Sequence, residues 1–518
     1  MFDATRLQIG HGAQAFVDAA LLEQTDGVTR RWHKPERVGD GPVLAADRPW
    51  EHTPYFTYSN FNVLRDPTDG LVKCWYEDLG PMRPYQPHPW QTRMLLATSR
   101  DGLVFDKPEL GIVRVEGQDT NIFCGYVAGA EPSASNPWAD VGVHSAAIVI
   151  DPTGEAQARY RMLFSRRGGD GSEALVCATS ADGVRWAPLE VRPSFGNSGD
   201  WISDVSTITV DPASGLFVQF TRHGGQSRAG LPASALPLAE GATARFQTHF
   251  PGRSDLANRR RIFRTVSADF LRWSDLVPIY APREGRDNLD EAHYGCGQFR
   301  IGPTHFGTVG ILRYVDNEMD VRLIYSHDGM GWHDTDNARA FLAPRGSGHW
   351  DAHMVAIVSP PVRVGDRWYF YHGGALSHHD YWWAGPSRLP HVEARDPAAT
   401  VRFGMGVATL RYEGVVSLEA CGPRLGQIVT RPLEFRGLTL TINARVRPGG
   451  ALRVALLDSG GSELAGYGFA DCIPFTGDTV KYIVTWTHGT ALPDAALHSF
   501  RKLAFRLDNA ELFTFAID

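Results

Sequence analysis

Ser180-Ala181-Asp182-Gly183-Val184-Arg185-Trp186 sets how the rest of the chain is read, because its pattern occurs four times. The other copies are Ser99-Arg100-Asp101-Gly102 with Phe105, Ser267-Ala268-Asp269-Phe270 with Trp273, and Ser326-His327-Asp328-Gly329 with Trp332. An aromatic follows each aspartate by four positions, and successive aromatics stand 81, 87 and 59 residues apart. A recurring supersecondary unit, too small to bury its apolar face alone, is the physical meaning of such a period.

Each copy closes a block with one internal order. In the second block an apolar run of strand length, 144–150, leads into Asp151-Pro152-Thr153-Gly154. Proline presets φ in that turn and glycine is free to take φ > 0. Two further runs follow, 160–165 and 174–180, and then the Asp-Gly turn and its aromatic. This makes four short strands joined by hairpins. The same order runs through 61–76, 204–220, 295–312 and 354–410. Five such units predict an all-β fold, with a five-bladed β-propeller over residues 49–423.

Asp26-Gly27 with Trp32, followed by Pro42-Val43-Leu44, resembles the outer end of a blade without its inner strands. Residues 1–48 are therefore expected to close or wrap the ring, pairing with the last blade so that no edge stays open. Within them, 13–23 reads as helix-like. After Cys421-Gly422-Pro423 the repeat stops. Alternation at Leu440, Ile442, Ala444 and Val446, then at Leu452, Val454 and Leu456, marks half-buried antiparallel strands. Residues 424–518 are expected to form a β-sandwich, which would also be the surface for any homo-oligomer.

A chain of 518 residues, 43% apolar, has material for more than one domain. Lys+Arg 51 against Asp+Glu 58 gives −7 with no basic run, which argues against nucleic acid and anionic membranes as partners. No stretch approaches the roughly 20 apolar residues of a membrane span. Met1-Phe2-Asp3-Ala4-Thr5-Arg6 lacks the pattern of a secretory signal. The six cysteines are scattered without metal spacing, so buried free thiols and a cytoplasmic location are expected.

In a propeller the loops feeding the innermost strands surround the mouth of a central channel, so functional residues should stand just before the first strand of each block. Those places hold Trp50-Glu51-His52 with Asn60, Asp119-Thr120-Asn121 with His144, Asp200 and Asp204, Asp290-Glu291-Ala292-His293, and Trp350-Asp351-Ala352-His353. Converging carboxylates raise one another's pKa, and acid–base sites exploit this to keep one protonated and another ionised. Flat rings beside them, at Trp350 and in His378-His379-Asp380-Tyr381-Trp382-Trp383, suit the apolar face of a sugar. Expected substrate-binding residues are thus Glu51, Asn60, Asp119, Asn121, His144, His293, Trp350, His353, His378 and Trp382. The ordinary alternatives are a turn cap for Asp204, a rim ion pair for Glu51, and hydrogen-bonded structural roles for His293 and His353. Arg65-Asp66-Pro67 is read as turn chemistry, because Asp-Pro recurs at Asp151-Pro152 and Asp211-Pro212.

The Ser-x-Asp-Gly-x-x-aromatic ends, the Asp-Pro-x-x-Gly turns and the C-terminal strands together resemble the five-bladed glycoside hydrolase superfamily. It includes the family 32 β-fructosidases and the family 43 arabinanases and xylosidases. Those enzymes place three carboxylates at the starts of inner strands. By register, these roles would fall on Glu51, Asp119 and Asp204. The Asn-Asp-Pro-Asn-Gly and Glu-Cys signatures of fructosidases are absent, however, and no glutamate occupies the third slot. The expectation is therefore Glu291 as acid, Asp204 as nucleophile or base, and Asp351 tuning charge or binding substrate. The implied activity is a glycoside hydrolase or transglycosidase acting on a small, furanose-containing glycan. The rivals are a non-catalytic carbohydrate-binding propeller and a glycoside phosphorylase, whose phosphate cradle would be Arg166-Arg167 and Arg222-His223. No cofactor is expected. A channel calcium at His293 or His353, as in some family 43 enzymes, is demanded by no ligand spacing.

Overall fold

The computed structural model describes residues 7–80, 91–200, 202–222, 260–283, 286–288, 290–313, 316–336, 339–379, 402–420, 422, 424–497 and 499–518. Among the described residues the fold is all-β, with only three-residue 3₁₀ turns between the strands. Trp382 lies outside the described residues, as does His223. Cys74, Cys124, Cys177, Cys296 and Cys472 are buried free thiols.

Five antiparallel units, numbered sheets I–V, follow one another along the chain, the last two joined by one parallel bridge between Met319 and Met354. Sheet I pairs Phe61–Arg65, Val72–Asp78, Arg93–Ser99 and Ile122–Gly125 in sequence order. Sheet II does the same with Gly142–Ile150, Tyr160–Arg167, Glu173–Ser180 and Ala187–Pro188. Sheet III runs through Ser206–Val210, Phe217–Arg222, Ile262–Ser267 and Val277–Tyr280. Sheet IV contains Glu291–Ile301, Thr304–Arg313 and Glu318–Ser326, with Trp332–Asp334 and Ala340–Leu342 at its edge. Sheet V pairs Met354–Ala356, Arg367–Ala375 and Phe403–Arg411. Its fourth place is filled from the N-terminal segment: Glu36–Arg37 pairs with Thr409 and Ala408, and Leu44–Ala45 with Met405 and Gly404.

The four repeated turns share one hydrogen-bond pattern. Each serine hydroxyl accepts the amide three residues on, from Gly102, Gly183, Phe270 or Gly329, at 2.8–2.9 Å. Each aspartate accepts two further amides, such as those of Val184 and Arg185 at 2.8 Å on Asp182. The residue after the aspartate is left-handed in every copy, with φ of 80°, 76° and 72° at the glycines and 69° at Phe270. That conformation costs a non-glycine residue about 1–2 kcal/mol. Complete burial of the Phe270 ring against Phe217 and Trp273 is worth about 1.5–3 kcal/mol and offsets it.

The repeat aromatics join the sheets. Trp186 of the second turn packs on Phe123 of sheet I, Trp332 of the fourth on Phe220 of sheet III, and Phe105 of the first on Tyr371 of sheet V. Trp273 shares a core with Leu163 and Cys177 of sheet II. Phe299 packs on Trp368 and Phe370, coupling sheets IV and V. Each sheet therefore contacts its predecessor, and the first contacts the fifth. Tyr58 is fully buried where these first strands converge. Its ring occupies a slot that a side chain at Gly295 or Gly310 would fill, and its hydroxyl donates to Thr308 O at 3.0 Å.

The last sheet departs from the sequence reading. Its long strands, Leu440–Leu457 and Lys502–Ile517, pair with each other, but Val416–Ala420, Gly426–Thr430 and three N-terminal strands also belong to it. Residues 13–23 are not helical. Gln14–Ala15 pairs with Phe515 and Thr514, and Leu22–Asp26 with 427–430. Successive burial of Ala15, Phe16 and Val17 between two cores suits an extended segment rather than a one-sided helix. The N-terminal segment thus serves two sheets: 14–32 the last one, and 36–45 sheet V.

A buried ion-pair cluster fastens that segment to sheet V. Asp351 is fully buried and accepts from Arg37 Nε at 2.7 Å and Arg345 Nε at 2.6 Å. Both carboxylate oxygens of Asp351, expected to tune charge or bind substrate, are thus engaged by arginines, one of them on the closing strand. Removing one partner of a buried pair strands the other charge, at about 3–5 kcal/mol. Asp351→Ala is expected to lower the unfolding free energy by about 3 kcal/mol in urea titrations, whereas Asp40→Ala, at a fully exposed partner of Arg345, should leave it unchanged.

Candidate functional site

Sheet I and sheet II bring three polar groups together at the start of their first strands. Asn60 Nδ2 donates to Glu77 Oε2 at 2.6 Å, the Ser145 amide donates to the same oxygen at 2.9 Å, and His144 Nδ1 lies 2.6 Å from Glu77 Oε1. The backbone is bent to achieve this. Ser145 has φ 53° and lies inside a register break between His144 and Ala147, and Ser59, just before Asn60, has φ 67°. Such left-handed non-glycine residues cost about 1–3 kcal/mol and gather where surroundings over-determine them.

From this anchor the network crosses to sheet III. His144 Nε2 stands 3.6 Å from Asp204 Oδ2, so one imidazole links a fully buried glutamate to an aspartate at the next strand start. Arg222 Nη2 donates to Asp204 Oδ1 at 2.9 Å, and Arg167 Nη2 is 3.5 Å from Oδ2. Arg222 also donates through Nε to Ser203 Oγ and lies over the ring of Tyr294, 4.3 Å from its centroid. Tyr294 follows Glu291 by three residues on the first strand of sheet IV.

Charge separates the carboxylates by role. Burial disfavours the Asp204 anion, but Arg222, His144 and Arg167 outweigh it and hold the group well below the usual carboxylate range. Burial and Arg167 likewise oppose the His144 imidazolium, yet Glu77 and Asp204 prevail and raise its pKa above the ordinary 6.5. Glu291 goes the other way. Burial lifts it, and Arg322 at 3.3 Å and Arg313 at 3.6 Å recover only part of that cost. Accessibility distinguishes them further: the Asp204 side chain is 27% exposed, against 0% for Glu77, 6% for Glu291 and 0% for Asp351. Of these four, Asp204 is the most accessible.

The remaining expected residues divide. Glu51 is a core carboxylate, accepting from Tyr76 Oη and Lys107 Nζ at 2.6 Å and from two backbone amides. Asn121 bridges Trp50 Nε1, Tyr76 Oη and the Leu96 carbonyl in the same interior network. Asp119 lies on a separate short hairpin, paired with Arg114. His293 is buried, stacks on Tyr280, and is pushed down to about 3 by burial and Arg322. Trp350 packs between His372 and the glycines of sheet V. Glu51, Asn121 and Asp119, expected to bind substrate, are engaged by the partners named, whereas both His293 ring nitrogens are buried without a hydrogen-bond partner among the described residues. His353 and His378 stack on each other beside Glu318. Glu77 falls outside the sequence expectation, although two adjacent carboxylates, Glu77-Asp78, ending an otherwise apolar strand are visible in the sequence.

A cavity of about 620 Å³ lies at the opposite ends of the first strands, lined by Arg65, Ile150, Asp211, Arg300 and Val362 among others. Its Asp211 is held by the Ser214 hydroxyl and Arg300.

No family model and no curated protein matches this chain. Among solved structures it is similar to a thermostable family-43 glycoside hydrolase, with 12% identity and TM-score 0.43 over 74% of this chain and 96% of the other. A glycosyl hydrolase from Bacteroides ovatus gives 14%, 0.45, 74% and 94%. A structure from the family-130 mannoside phosphorylases, which contain glycoside hydrolases targeting β-1,2 mannosidic linkages in Candida mannan, gives 15%, 0.40, 73% and 94%. Likenesses of this size carry no argument about activity, which rests on the site itself.

The His144 bridge has a signed pH dependence. Its raised folded pKa means that its stabilisation is complete below 6.5 and is lost as pH rises through the folded value. The Asp204 contribution is present above 3.8 and is lost as pH falls through its lower folded value. In an NMR titration the His144 ring should change charge above pH 6.5, and Glu77→Gln should move that midpoint downward.

Proposed function

We propose that this chain is a glycoside hydrolase or transglycosidase on a five-bladed β-propeller, with sheets I–V as its blades and the last sheet folded into an appended β-sandwich. The observation that carries the reading is Asp204: an accessible carboxylate held ionised by two arginines and backed by His144 and Glu77. An ionised, accessible carboxylate is what attack on an anomeric carbon, or activation of a water, requires. Glu291, which burial keeps closer to its protonated form, is the group assigned to protonate the leaving oxygen. Arg222 ties the two halves, with its guanidinium on Asp204 and over Tyr294. Asn60, Glu77 and His144 position the attacking carboxylate. The substrate class is a small glycan, and a furanose-containing one follows from the family resemblance of the repeat.

The presence of Arg167 and Arg222 on either side of Asp204 supports a second reading, a phosphorylase in which an inorganic phosphate bridges those guanidiniums. Product formation that requires phosphate would select it, and turnover in phosphate-free buffer would select hydrolysis.

Chromogenic furanosides and pyranosides, with product anomers followed by NMR, test the assignment. Asp204→Asn and Glu291→Gln should each lower kcat by about 10²–10⁴-fold on the best substrate while leaving the circular dichroism spectrum intact. The basic limb of the kcat/KM profile, set by Glu291, should disappear in Glu291→Gln. Undiminished activity in both variants would refute these roles.

A further inference from the structure

Beside the Asp204 network, a second group of side chains has the composition and spacing of metal ligands. A Glu318 carboxylate oxygen and one ring nitrogen each from His353 and His378 lie within 4.8 Å of one another. We propose that these three residues bind a single divalent first-row transition ion, with Zn²⁺ as the reference ion.

Three separate chain segments are fixed by backbone bonds to bring these ligands together. The Met319 amide donates to His353 O at 3.1 Å, next to a parallel bridge between Met319 and Met354. This sets Glu318 beside His353. The His353 amide donates to Ala375 O at 3.2 Å, and the His379 amide to Asn317 O at 2.9 Å, which folds the segment carrying His378 back over Glu318. Asn317 is fully buried with φ 57°, so the turn presenting Glu318 is held in the left-handed region.

His378 Nδ1 lies 2.9 Å from the Asp316 carbonyl, the kind of hydrogen bond by which metal sites orient a ligating imidazole. His353 Nδ1 is 2.9 Å from Glu318 Oε1, and the two imidazoles stack with centroids 3.8 Å apart and planes at 19°. Zinc bonds of 2.0–2.1 Å in a tetrahedron place donors about 3.4 Å apart, so binding requires the two rings to turn out of their stack until their nitrogens converge on one ion. Glu318 is 41% and His353 19% exposed, which leaves room for those rotations and for an ion to enter.

Two imidazoles and one carboxylate suit zinc and its first-row neighbours. Calcium takes six to eight oxygen ligands, and this group supplies one carboxylate. Three protein ligands leave a fourth position for water or for a hydroxyl of a bound molecule. Register fixes the place: Glu318 faces Arg313 across one strand pair, and Arg313 faces Glu291 across the next. Two strand spacings put the ion's carboxylate about 10 Å from Glu291 along the same rim. The inference does not depend on the glycosidase reading.

The full chain, stripped with EDTA and dialysed, should take up one Zn²⁺ per chain by calorimetry and elemental analysis, and should gain thermal stability with Zn²⁺. Ca²⁺ at the same concentration should produce neither effect. His378→Ala and the isosteric Glu318→Gln should each weaken Zn²⁺ binding at least tenfold, while His11→Ala, at an exposed histidine, should not. The isosteric variant decides the matter should His378→Ala fold poorly. Absence of Zn²⁺ uptake, uptake unchanged in both variants, or preference for Ca²⁺ would overturn the proposal.

Discussion

A four-stranded sheet ends in a row of unpaired amides and carbonyls, and sheet V would present such an edge at Phe403–Arg411 without residues 36–45. Covering that edge is the constraint on which the arrangement depends. The closing strands are short, so pairing alone would hold them weakly. The Arg37–Asp351–Arg345 cluster adds a buried, charge-assisted fastening at the point where the segment meets the loop before Met354. Once sheet V is complete, Phe105 can pack on Tyr371, and the Tyr371 hydroxyl can reach Gly102 O at 2.9 Å. These contacts couple the first and fifth sheets directly.

That coupling places polar strand starts side by side, and electrostatics decides what they become. Most acidic groups in the region are neutralised by a specific cation: Glu51 by Lys107, Asp78 by Arg93, Asp351 by Arg37 and Arg345. Asp204 has cations too, yet retains an exposed edge. Burial raises the pKa of both Asp204 and Glu291; Arg222, His144 and Arg167 outweigh it at Asp204, whereas at Glu291 Arg322 and Arg313 recover only part, and Asp287 and Asp320 push it further up.

The repeat was legible because it is local: a serine, an aspartate and a left-handed residue lie within four positions and make the same bonds in each copy. Strand starts were legible for the same reason, which brought Asn60, His144, Asp204 and Glu291 into view. What remained hidden is non-local. One partner of Asp351, Arg345, is six residues away, but the other, Arg37, lies 314 residues away, so the tie to the closing strand leaves no mark near Asp351 in the chain. Glu77 stands at the end of a second strand, outside the register that the strand-start argument searches. The sharing of 14–32 with the last sheet is a pairing over some 400–500 residues, and apolar residues there carry no mark of their partner.

The N-terminal segment has a temporal consequence as well. Residues 14–45 are translated some 400 residues before their partners at 403–411, 416–430 and 502–517. Sheets I–IV can form on the nascent chain, while 14–45 stay unpaired until those partners follow. Pairing of this segment therefore comes after, not before, the sheets that lie between it and its partners.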